Sequence, residues 1–287
     1  MRPHDGMLVA ALRHRGEDVL AERPDSWTGS PLLYPWASRL SAERFRVGGR
    51  EVDASGARRD ESGVLLHGLP SAREGWIVER ADRELVRARL RWDDRAFPFP
   101  HEVVVEHRLS TAGLATVTEV AGDTPVSFGW HPFLRLPGVP REQWRVALGS
   151  RRRTPLDDRL LPAGPSEEWA PPAFELADGH FDESLSQIEA PFVLEGGGRR
   201  VEVEFLEGAP HAQFFAPRPE PVACFEPMAA PVDALVTGDG LRWAPWRMRF
   251  EIRVTSSALS GLGVSYEHQT RTVPPFVARS SRLGGLT

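Results

Sequence analysis

A large antiparallel β-sandwich is the fold the sequence predicts, and three observations predict it. Charged and apolar residues alternate with period two in many segments, the pattern of strands with one wet and one buried face. Glycine-bearing turn signals separate those segments. No long stretch places apolar residues at helical spacing. The 26 Gly and 26 Pro are spread through 287 residues, as many short strands and tight turns require.

Arg44-Phe45-Arg46-Val47 and Arg50-Glu51-Val52 flank Gly48-Gly49 and read as a hairpin. Residues 85–92, 102–109 and 114–120 alternate, and Ala112-Gly113 joins the last two. Phe192-Val193-Leu194 reaches residues 200–205 through Gly196-Gly197-Gly198, and residues 247–254 alternate most cleanly. Short helical turns are expected near 31–40, 141–144, 159–162 and 232–236. The proline-rich, polar stretch 155–172 reads as a long surface loop. No break in composition suggests a second domain, so residues 1–256 are expected to form one sandwich. Residues 257–287 lose the alternation in favour of Ser, Gly, Arg and Thr and read as a mobile tail.

A formal net charge of −5 provides no general attraction to nucleic acid or an anionic membrane. Arginine supplies every Lys-or-Arg position, and there is no Asn. A Lys Schiff base is therefore excluded. The single cysteine, Cys224, rules out an internal disulfide and fits a reducing compartment. No apolar run reaches the length of a membrane span, and the first 20 residues do not read as a signal peptide. A cytoplasmic protein, monomeric or homodimeric, is the expectation.

Three separated segments each set one titratable residue among apolar neighbours: His67 in Leu65-Leu66-His67-Gly68, His131 in Gly129-Trp130-His131-Pro132-Phe133, and Glu226 in Cys224-Phe225-Glu226-Pro227. Burying such a group disfavours its charged form. Together in one cleft, two imidazoles and a carboxylate suit proton transfer at neutral pH. Taken singly, each histidine also reads as a satisfied core residue, and Glu226 as half of an ion pair with an arginine. Trp130 and Phe133 could wall a pocket. Arg39, beside Tyr34 and Trp36, is a rigid donor fork suited to carboxylates, phosphates or vicinal hydroxyls. Asp182, in His180-Phe181-Asp182-Glu183, is an acceptor near the end of the long loop.

In order, Tyr34-Pro35-Trp36-Ala37-Ser38-Arg39-Leu40, Leu66-His67-Gly68-Leu69 with Trp76 downstream, Gly129-Trp130-His131-Pro132-Phe133, Phe225-Glu226-Pro227-Met228 and Pro231-Val232-Asp233-Ala234-Leu235 resemble the aldose 1-epimerase (mutarotase) family over residues 6–255. The resemblance implies a mutarotase-like β-sandwich and cofactor-independent, metal-independent interconversion of the anomers of a free sugar. It implies Glu226 as base, His131 as acid and His67 as a catalytic partner that binds substrate oxygens. Arg39, Asp182, Trp130 and Trp76 are the implied substrate-binding residues. Ser38 stands where many members carry Asn. Arg73 raises the alternative of a hexose-6-phosphate substrate. A non-catalytic carbohydrate-binding protein on the same scaffold is a second alternative. A facial metal site built from the two histidines and Glu226 is a third.

Overall fold

Long alternating strands build one layer of the protein and short interrupted ones build the other. The computed structural model describes residues 1–22 and 28–256. The first layer is a nine-stranded antiparallel sheet. Its spatial order is Phe174–Glu175, Arg145–Ala147, Phe192–Gly196, Arg199–Glu207, Trp246–Ser256, Gly113–Gly122, Phe97–Leu109, Leu85–Asp94 and Ile77–Ala81. Alternation divides its residues between two faces. Ala88, Leu90, Phe97, Val103, Leu114, Met248, Phe250 and Ile252 are buried on the inner face. Arginines and glutamates of the same strands pair across the outer one, as in Arg87–Glu106, Arg247–Glu119 and Arg253–Glu204.

The second layer is an eight-stranded sheet in which Ala223–Met228 pairs on one side with His211–Ala216. On its other side it pairs with two short strands, Gly129–Trp130 and Phe133–Leu134. The sheet continues outward through Phe181–Ile188, Ser150–Thr154 and Glu167–Glu168, and at the opposite edge to Leu32–Leu33. Its inner side chains meet the first sheet. The Trp130 indole N–H donates to Thr118 Oγ1 at 3.0 Å and its ring lies 6.1 Å from Phe250. Phe225 packs against Phe192 and Phe214.

The hairpin turns stand where the glycines place them: Val47 pairs with Arg50, and Gly196 with Arg199. Among the described residues helix is confined to single turns, including Arg141–Gln143 and Ala234–Thr237. A third turn, Pro70–Arg73, lies outside the sequence expectations. Two of those expectations need correction. Residues 31–40 form no helical turn but the short strands Leu32–Leu33 and Arg39–Leu40, because residues 129–130 and 65–66 supply them with backbone partners. Residues 159–162 lie in a hydrogen-bonded turn closed by Leu160 N–H to Asp157 C=O. The surface loop carries one short strand, Glu167–Glu168, paired with Arg152 and Arg153. The expected tail, 257–287, lies outside the described residues. Among the described residues no helix is long and apolar enough to cross a membrane.

Candidate active site

Every residue of Ala223–Met228 is buried, yet its two faces meet different surroundings. Ala223 and Phe225 point into the main core. Cys224 and Met228 point the other way, each covered by a small apolar cluster. Cys224 packs with Ala21, Phe133 and Val222, and Met228 with Leu33, Ala37 and Val232. Glu226 shares their face and falls between the two clusters, where a cleft of about 580 Å³ opens. That volume is within the range of about 300–1,000 Å³ usual for small-molecule sites.

Strand register brings the partners of Glu226 to it. Gln213 is its direct neighbour on His211–Ala216. On the other side Gly129 pairs with Met228 and Phe133 with Cys224, which sets His131 opposite Glu226 in the gap between the two short ladders. Pro132 has no N–H to continue a ladder there, and the His131 N–H goes instead to Pro31 C=O at 3.0 Å. His131 Nε2 stands 3.2 Å from Glu226 Oε1. Gly129 is required beside them, because a Cβ would lie 2.7 Å from Pro227 O and 2.8 Å from Ala37 Cβ.

His67 arrives from a separate three-stranded sheet, in which Leu66 pairs with both Arg39 and Arg58. His67 and Ser38 both hold left-handed backbone angles and bond reciprocally. His67 N–H donates to Ser38 C=O at 3.0 Å, and Ser38 N–H donates to His67 Nδ1 at 3.1 Å. Gly68 follows at φ +77°, where a Cβ would lie 2.0 Å from Tyr34 O. The His67 and His131 rings meet edge to face with centroids 5.3 Å apart.

The Ser38 bond fixes more than orientation. A backbone N–H only donates, so His67 Nδ1 must be the acceptor and the ring proton sits on Nε2. Burial holds the His67 pKa well below the ordinary value, with His131, Arg39 and Arg58 acting in the same direction. His67 is therefore a neutral Nε2–H donor. This bears on metal binding. His67, His131 and Glu226 each bring a ligand-type atom within 4.8 Å of the others, the geometry of the facial site considered from sequence. A metal-bound imidazole donates from its second nitrogen, whereas His67 accepts there. The donor set fits proton and hydroxyl chemistry better than a resident metal.

Burial raises the Glu226 pKa well above the carboxylate range, and Asp182 adds to this while Arg39 opposes it. Glu226 Oε2 and Gln213 Oε1 are buried without a hydrogen-bond partner among the described residues. Such atoms are costly unless a ligand or solvent meets them, and both residues line the cleft. Gln213 Nε2 donates to Asp182 Oδ1. Arg39 ties the assembly together, with Nη2 3.3 Å from Asp182 Oδ2 and Nε 2.7 Å from Asp60 Oδ2. Asp233 holds the Arg39 backbone from behind, through its N–H to Arg39 C=O and by accepting the Ser41 N–H at 2.8 Å.

His67, His131, Glu226, Arg39 and Asp182 thus line one cleft. Trp130 and Trp76 do not, and the expectation that they bind substrate is corrected. Trp130 is fully buried between the sheets because strand alternation turns it away from His131. Trp76 is buried with its indole N–H on Ala72 C=O. The aromatic wall is Phe133, stacked on His131 at 4.1 Å, together with Phe215 edge-on to it at 6.1 Å. Arg73 lies outside the cleft lining, near Asp5. Sequence reasoning missed Gln213, Phe215 and Asp60. The lone amide of Ala212-Gln213-Phe214-Phe215 was a usable signal, since an apolar strand seldom buries Gln without a partner.

A family model described as aldose 1-epimerase matches residues 6–238. Similar solved structures include the Slr1438 protein from Synechocystis sp. PCC 6803, at 21% identity and TM-score 0.72, covering 89% of this chain and 90% of that one. A putative aldose 1-epimerase from Escherichia coli K12 is similar at 19% identity and TM-score 0.72, covering 88% and 94%. A galactose mutarotase related enzyme from Lactobacillus acidophilus is similar at 20% identity and TM-score 0.73, covering 88% and 93%. These likenesses show a shared fold. A sequence search of curated proteins finds no match.

Proposed function

This chain belongs to the aldose 1-epimerase family, and on that premise we propose that it interconverts the α and β anomers of a free aldose by opening and closing the sugar ring. The observation that carries this reading is the contact at 3.2 Å between His131 Nε2 and Glu226 Oε1 on the floor of the cleft. Ring opening removes a proton from the anomeric hydroxyl and delivers one to the ring oxygen. Those two oxygens share one carbon, so the acid and the base must stand side by side.

Glu226 as carboxylate takes the proton from O1 while protonated His131 gives one to O5. The C1–O5 bond breaks and C1=O1 forms. Rotation about C1–C2 turns the other face of the aldehyde toward O5. On closure the proton on Glu226 returns to O1 and the proton on O5 returns to His131. The pair holds one proton throughout. The raised pKa of Glu226 strengthens it as a base at neutral pH. His67 donates Nε2–H to a substrate oxygen without competing for the transferred proton. Arg39, Asp182 and the free oxygen of Gln213 bind hydroxyls, and Phe133 and Phe215 pack on the apolar ring face.

The test is polarimetry on freshly dissolved α-anomers of hexoses, pentoses and phosphosugars. Accelerated mutarotation of a free aldose, lost in Glu226→Gln while sugar binding persists, is the expected result. Sugar binding with no acceleration by the wild-type protein would leave a carbohydrate-binding protein. Acceleration confined to phosphosugars would favour the phosphorylated substrate.

A further inference from the structure

Asp60 lies in the cleft lining, where a carboxylate would ordinarily be taken as a sugar acceptor. Its bonds argue otherwise. Oδ1 accepts the N–H groups of Ser62 and Val64, both at 3.0 Å. Oδ2 accepts Arg39 Nε–H at 2.7 Å. The backbone closes the same turn, through Asp60 N–H to Val64 C=O at 2.9 Å and Gly63 N–H to Asp60 C=O at 3.0 Å. The carboxylate is thus occupied by donors of its own chain. The turn it closes leads straight into Leu65 and Leu66, which pair with Leu40 and Arg39, and then into His67.

Arg39 is gripped at two points. Asp60 holds Nε, and Asp182 stands at Nη2. A guanidinium is planar, so carboxylates at two of its nitrogens fix both the rotation and the tilt of the fork. The side chains of Arg39 and Asp60 are only 11% and 12% exposed, which limits screening of the pair by solvent. Each acid gives Arg39 its Oδ2 and keeps Oδ1 for other donors, Gln213 at Asp182 and the Ser62 and Val64 N–H groups at Asp60.

We propose that Asp60 is a positioning residue for substrate binding: its carboxylate sets the plane of the Arg39 guanidinium and ties that plane to the segment carrying His67. This rests on the reading of Arg39 as a hydroxyl-binding residue. It gives one acid the task of keeping two sugar-side elements in register, and it separates Asp60 from the groups that move protons.

Asp60→Asn is the discriminating variant. Its amide oxygen still accepts from Ser62 and Val64, so the turn survives, but its NH2 then faces Arg39 Nε–H, donor against donor. The first measurement is the exchange protection of the Arg39 Nε–H resonance by NMR, assigned by its loss in Arg39→Lys. Protection in the wild type and its loss in Asp60→Asn is expected. An unchanged resonance overturns the proposal, and this reading does not depend on whether the protein turns over any sugar.

The second measurement is mutarotation kinetics. Asp60→Asn should raise KM roughly tenfold, the scale of a charge-assisted hydrogen bond, with kcat within about twofold. In an Arg39→Ala background the same change should alter KM by less than about twofold, because the pair acts as a unit. Independent, multiplying effects overturn the proposal, as does a fall in kcat with KM unmoved. Should Asp60→Asn not fold, Arg39→Lys interrogates the same contact from the other side and should reproduce the KM rise. A normal KM there would likewise overturn it. Absence of any mutarotation in the wild type would remove the proposed function and leave the NMR result to judge the Asp60–Arg39 pair.

Discussion

The outer faces of the two sheets use the same period-two alternation to opposite ends. On the nine-stranded sheet the outward residues include many arginines and glutamates, on strands of up to 13 residues. They are solvated and paired with one another, as in Arg89–Glu79 and Arg253–Glu251. On the eight-stranded sheet the strands beside Glu226 are two to six residues long. The outward residues there include Gln213, Glu226 and Cys224, each no more than 2% exposed. Regular ladders make a surface tolerant of substitution. An interrupted ladder leaves a gap, and polar groups inside that gap keep valences for a ligand.

The comparison breaks most sharply at the gap. Glu226→Gln and His131→Ala should each lower kcat by about 10²–10⁴, the usual contribution of a positioned acid or base. Stopped-flow polarimetry measures this, and a loss under threefold in either variant would remove that residue from proton transfer.

Acid should expose the next difference, this time in the buried histidines of the core. Desolvation lowers His101 and His107, both on Phe97–Leu109, to about 4. The unfolded chain, with histidine near 6.5, binds more protons than the native state in that window. Stability from these groups is therefore complete above about pH 6.5 and is lost as pH falls toward 4. Glu226 and Asp233, whose pKa values are raised, contribute in the opposite sense. His107→Gln, compared with wild type in urea unfolding from pH 7 to pH 4, should flatten the pH dependence. An identical slope would sink the assignment.

Trp130→Phe separates core from cleft. It removes the bond to Thr118 in the sheet interface and should cost about 1 kcal/mol of stability with KM unchanged. A large rise in KM would restore Trp130 as a sugar-binding residue. The smallest effect belongs to the solvated face. Arg253→Ala, at an exposed pair network, should change stability by less than about 1 kcal/mol and leave kinetics untouched, as thermal melts and the same assay would show.

Much of the scaffold was legible because it is written in local terms. Gly48-Gly49, Ala112-Gly113 and Gly196-Gly197-Gly198 each mark a turn between strands whose alternation is visible in sequence. His67, His131 and Glu226 stood out because a titratable group among apolar neighbours is unusual at any one position. Gln213 carried a local signal as a lone amide in an apolar run, but its partner is set by register opposite Glu226, and Asp60 matters through a bond to a residue 21 positions away. Trp130 misled for a related reason. It is next to His131 in the chain, and adjacent strand residues face opposite sides.

From composition and alternation alone the chain already specified antiparallel layers, a charged outer surface and the identity of its unusual buried ionisable residues, because hydrophobic patterning and turn chemistry act over a few neighbouring positions. Which of those residues meet was settled by pairing between distant strands. Gly129 opposite Met228 and Phe133 opposite Cys224 bring His131 to Glu226, and Ser38 against His67 sets a tautomer. A register shift of one residue would turn each of these side chains to the opposite face, and no local signal in the chain encodes that choice.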